Sequence, residues 1–134
     1  MLTLRAKAGA LPLGAVFLAL GATAGLAVAV LHLDRLPILF CLFRAATGLP
    51  CLTCGATRAL GDLVAGDVSG ALAMNPLATL AALALVPWGI GDLALMPRGR
   101  ALALEVPPPA ARALRVLAVV AVLANWAYLI AAGR

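Results

Sequence analysis

The chain has 134 residues, is 65% hydrophobic and only 11% charged, and carries a net charge of +5. An ordinary soluble domain is nearer about half apolar and about a quarter charged, so that class is excluded, and the long unbroken apolar runs suit a bilayer. The positive charge is almost all arginine set beside those runs, with no basic stripe interleaved with aromatics, so it reads as a topology signal and not as a nucleic-acid footprint.

Taken in order, Arg5 and Lys7 precede a stretch from Ala8 to Leu31 with no ionisable side chain. That exceeds the roughly 20 residues needed to cross a hydrocarbon core, and is too long for the apolar part of a cleaved signal peptide. It is the first expected span, with Pro12 in its first turn. Gly21 and Gly25 on it read as general small-residue richness more than as a dimer seam. His32, Asp34 and Arg35 mark the exit from the membrane, and Leu36 to Phe43 is too short to span and is expected at the interface. Thr47-Gly48-Leu49-Pro50 is a turn signal. A helix is expected from about Cys54, with Ala56, Ala59, Leu60, Leu63 and Val64 as its apolar stripe. Gly66 is placed to stop it and Asp67 to cap the next short amphipathic piece. Asn75-Pro76 starts the second span, which runs to about Met96, contains Pro87 and holds Asp92 a turn from its end, within reach of Arg98 and Arg100. After a proline-rich connector, Arg112 and Arg115 open the third span. Its Trp126 and Tyr128 fit an interfacial belt, and Asn125 is expected to bond to another helix.

The fold class is therefore all-α and integral to the membrane: one domain, 1–134, with spans at about 8–31, 76–96 and 112–132. The connector, 32–75, carries one or two interfacial amphipathic helices. Arg5, Lys7, Arg98, Arg100, Arg112 and Arg115 fall on one side of such a chain and Arg35, Arg44, Arg58 and Arg134 on the other. The positive-inside rule then places the N-terminus in the cytoplasm and the connector outside the inner or plasma membrane, in an oxidising compartment.

All three cysteines lie in the connector. Cys41, then Thr47-Gly48-Leu49-Pro50-Cys51-x2-Cys54-Gly55-x-Thr57-Arg58-Ala59, then Gly66-Asp67, Ala71 and Asn75-Pro76, resembles the bacterial family known as domain of unknown function 2752, small membrane proteins. The resemblance runs from Cys41 into the second span, and Asn125-Trp126 is also similar. The family usually has proline directly after the first and second cysteines, where this chain has Leu42 and Leu52. The resemblance implies a membrane protein and a defined motif, and no reaction.

Three readings of the cysteines stay open. Cys51 and Cys54 form a C-x-x-C at a helix start, where the helix dipole and Arg58 would favour a thiolate at Cys54 and Cys41 would resolve a disulfide. Alternatively Cys41, Cys51 and Cys54, with His32 as a fourth candidate, would ligate zinc, the one cofactor the residues suggest. In the preferred reading the protein is a structural or partner-binding membrane subunit. Its partners are the bilayer and other membrane proteins, and its cysteines pack or form a disulfide. There Thr47, Gly48, Pro50, Gly55, Thr57, Arg58, Gly66, Asp67, Asn75 and Pro76 shape the connector. No paired carboxylates and no histidine stand near the motif, so an enzyme is not favoured.

Overall fold

The computed structural model describes residues 3–33 and 41–133. Asp34, Arg35, the stretch 36–40 and Arg134 lie outside the described residues. The elements are β1 (Thr3–Ala8), α1 (Leu13–Leu31), α2 (Leu42–Thr47), α3 (Ala56–Val64), α4 (Val68–Met74), α5 (Pro76–Leu95), a 3-10 turn (Met96–Arg98), β2 (Arg100–Glu105) and α6 (Pro108–Ala131). The expected helical class holds: three helices are long and apolar enough to cross a membrane, at mean hydropathies of 2.2, 1.6 and 2.0, and short helices stand between the first and second. The protein is thus of multi-pass membrane type, built to lie in a lipid bilayer.

Two helix starts differ from expectation. The first helix begins at Leu13 and not at Ala8, because Thr3–Ala8 pairs antiparallel with Arg100–Glu105, in register from Thr3↔Glu105 to Ala8↔Arg100. The third begins at Pro108, four residues before Arg112, since prolines are tolerated in a first turn where no amide donor is needed.

The chain divides into two compact units, one from Met1–Ala22 and Ala82–Ala118, the other from Thr23–Ala81 and Val119–Arg134. The first holds the ribbon and is organised by Asp92. This carboxylate is fully buried and accepts from the amides of Gly14 (2.8 Å), Ala15 (3.3 Å) and Leu102 (2.7 Å). Gly14 and Ala15 are in the first turn of α1, whose free amides and dipole favour a negative charge. Asp92 therefore bonds to backbone, where Arg98 or Arg100 had been expected. The helices approach closely enough for this because Gly14 and Gly89 lack side chains: a Cβ on Gly89 would lie 2.5 Å from Leu18 Cβ.

In the second unit Ala59, Ala71 and Leu129 are buried, and α3 packs on α4. Gly25 is used here, since a Cβ on it would sit 3.2 Å from Val64 Cγ2, whereas one on Gly21 would meet open space. Close packing inside the chain thus accounts for Gly25 without a dimer seam.

Candidate metal centre

The cysteines come together by local turn chemistry and three long-range ties. Cys41 precedes α2 in extended backbone and its carbonyl accepts from Ala45. At the other end of α2, Thr47 donates to the Phe43 carbonyl and accepts from the Leu49 amide, and Gly48 turns the chain at φ 75°. The chain reaches buried Pro50 and then a tight turn in which the Cys54 amide donates to the Cys51 carbonyl (3.0 Å). Gly55 leaves this turn at φ 78°, and a Cβ there would be 3.0 Å from the Met74 carbonyl oxygen, so only glycine fits both the angle and the space. Helix α3 consequently starts at Ala56, two residues after the expected Cys54. Thr57 is exposed on its first turn and Arg58 is half-buried.

Asn75 holds the turn from outside. Its side-chain amide donates to the carbonyls of Leu52 (3.2 Å) and Cys54 (3.1 Å), while its Oδ1 caps α5 by accepting from Ala78. The start of α5 is then fully accounted for. Pro76 has no donor, Leu77 donates to Asn125 Oδ1, Ala78 to the Asn75 side chain and Thr79 to the Asn75 carbonyl. From α6, Trp126 Nε1 donates to the Pro50 carbonyl (2.9 Å) and the Tyr128 hydroxyl to the Ala73 carbonyl (2.8 Å). Asn125 bonds across helices as expected, and the aromatic pair does more than mark an interface. A polar group on an apolar helix needs a partner, and Asn125, Tyr128 and Leu129 sit at the i, i+3, i+4 spacing of one helix face; that is the signal that could have found them. Thr79, fully buried and donating to the Ala71 and Asn75 carbonyls, was missed altogether.

Further along the connector, Gly66 (φ 83°) and Asp67 close α3, their amides donating to Leu63 and Asp62 carbonyls. Asp67 then caps α4, accepting from the Ser69 hydroxyl and the Gly70 amide, and these two bonds hold its carboxyl below the usual range.

The result is a cluster in which the Sγ atoms of Cys41, Cys51 and Cys54 all lie within 4.8 Å of one another. Cys51 and Cys54 are 3.4 Å apart, Cys54 and Cys41 3.6 Å, and the Cys51 amide donates to Cys54 Sγ at 3.2 Å. All three are free thiols, Cys54 buried and the others half-buried. Burial opposes ionisation of Cys51, but hydrogen bonds from the Thr53 hydroxyl, the Cys41 and Cys54 thiols and the Thr53 amide outweigh it and bring Cys51 down to about 7. Burial, then the bond to Cys51, pushes Cys54 up to about 11. The easily ionised thiol is therefore Cys51, where Cys54 had been expected: burial raises both, but the Thr53 and thiol hydrogen bonds favour the thiolate at Cys51. His32 is not in the group. It is exposed at the end of α1 with φ 48°.

A thiolate site with metal–sulfur bonds of about 2.3 Å has sulfurs about 3.8 Å apart when tetrahedral. The observed spacings need only small adjustment to meet that. A disulfide would use two of the three sulfurs and shorten one contact to about 2.05 Å.

Residues 41–89 match the family model described as Protein of unknown function (DUF2752). This supports the resemblance seen in the sequence. The DUF2752 segment contains all three cysteines, Asn75 and Thr79. The tie residues on α6 lie beyond it. No curated protein and no solved structure matches the chain.

Proposed function

We propose that this multi-pass membrane protein uses Cys41, Cys51 and Cys54 to hold one soft metal ion, zinc first, and that the ion fixes the connector as a docking element for other membrane proteins. One observation carries this: three thiols from two separate segments converge within 4.8 Å. Such convergence costs conformational entropy and like-charge repulsion on ionisation, and a metal cation offsets both. Softness follows from the all-sulfur donor set. The distribution of arginines supports an N-terminus in the cytoplasm and a connector outside the inner or plasma membrane.

The test is elemental analysis of the full chain purified in detergent under reducing conditions. Wild type should carry about one zinc per chain, and Cys51→Ser or Cys54→Ser should lose it. A metal-free wild type that stays metal-free after zinc is added sinks the proposal. A second reading, thiol redox, is favoured by the 3.4 Å approach of Cys51 to Cys54. An impermeant maleimide on intact cells separates the two: labelling only after chelation supports metal, labelling only after reduction supports a disulfide. Labelling only after lysis overturns the outward topology.

A further inference from the structure

Beside the cluster lies a groove of about 490 Å³, within the range of about 300–1,000 Å³ typical of small-ligand sites. Its walls are Phe43 and Leu52 from the connector and Val122, Leu123 and Trp126 from α6, and only Cys51 and Thr53 interrupt the apolar lining. The Trp126 wall is fixed by its bond to the Pro50 carbonyl, so the groove is formed in advance.

We propose that this groove seats one hydrocarbon chain of a bilayer lipid. Leu123 belongs both to the groove and to the apolar outer surface of α6, where Val119, Val120 and Leu123 are 57%, 55% and 55% exposed. Lipid packed on that surface would therefore touch Leu123, which that surface shares with the groove. Phe43 and Leu52, each 46% exposed, are the connector's contribution to the same lining. These two large side chains are covered once a chain lies against them. The bound chain also dries the side of the groove formed by Cys51. This inference is independent of what the cysteines ligate.

The test uses the full chain reconstituted in phosphatidylcholine–phosphatidylglycerol vesicles, doped with a phospholipid whose acyl chain carries a diazirine. After photolysis, adducts are expected on Phe43 or Leu52 as well as on α6. Leu123→Trp, which fills the groove, should lower the connector adducts about fivefold or more, because the added ring takes the space the chain would occupy. Ile130→Trp, on α6 outside the groove, should leave them unchanged. Leu123→Gln gives a second probe should the larger ring disturb folding, and helical content by circular dichroism checks both. Adducts confined to α6, or connector adducts indifferent to both Leu123 substitutions, overturn the proposal. So does a covalent dimer through Leu52 or Leu123 when the chain carries photo-reactive leucine, since that places a second copy in the groove.

Discussion

The two units solve one problem in different ways. Apolar surroundings leave helix-start amides without water, so each needs an acceptor from the protein. In the unit built on the ribbon, one carboxylate, Asp92, takes three amides. In the unit built on the cysteine motif two neutral side chains, Asn75 and Asn125, accept the amides that open α5, and Thr79, Trp126 and Tyr128 tie backbone carbonyls by donating to them. A charged acceptor is stronger per bond, but its loss leaves several donors bare at once. A neutral network loses less at any one position. The charged lock suits a region that only has to hold together. The distributed lock suits a turn that must present three sulfurs at fixed spacing.

The largest expected effect breaks this contrast on its charged side. Asp92→Ala should cost about 3–5 kcal/mol, since it strands buried donors, and Asp92→Asn, which keeps one acceptor oxygen, should cost less. Thermal unfolding in detergent checks both; an Asp92→Ala protein as stable as wild type would show that the lock is not needed. Next is Asn75→Ala, at about 2–3 kcal/mol for three lost bonds. Asn75→Asp sharpens the comparison. It keeps the cap on Ala78 but has no donors for the Leu52 and Cys54 carbonyls, so metal retention should fall much more than helix stability.

Much of this was readable in advance, for identifiable reasons. The three helices follow from apolar runs of spanning length, and Gly66-Asp67 and Asn75-Pro76 announce their caps locally. The ribbon was overlooked although Leu4, Ala6 and Ala8 alternate with Arg5 and Lys7, because alanine is a poor strand former and the partner, Arg100–Glu105, is remote in sequence. The cysteines were a fixed set of three; their convergence depends on Asn75 and Trp126, whose partners are backbone carbonyls with no sequence signature. Which thiol ionises first depends likewise on contacts that the sequence does not show, the bonds to Thr53 and among the three sulfurs.

Smaller effects test the distributed side. Trp126→Phe keeps the ring and removes the bond to the Pro50 carbonyl, a loss of about 1 kcal/mol, with metal release by a chelator becoming faster. If release is unchanged, the α6 tie does not support the cluster.

The smallest concerns Asp67, whose cap on α4 is exposed and therefore felt locally. Its carboxyl is lowered in the folded chain by the Ser69 hydroxyl and then the Gly70 amide. The unfolded value is about 3.9. A depressed folded value means the cap's contribution is fully present above the unfolded value and is lost as pH falls through the folded one. Hydrogen exchange at the Gly70 amide, corrected for its intrinsic pH dependence, should therefore lose protection only on the acid side of pH 4, approximately. Asp67→Asn should remove that pH dependence while leaving a weaker cap, because its amide oxygen still accepts from Gly70 but carries no charge. Acid sensitivity that persists in Asp67→Asn would show that the Asp67 cap is not its source.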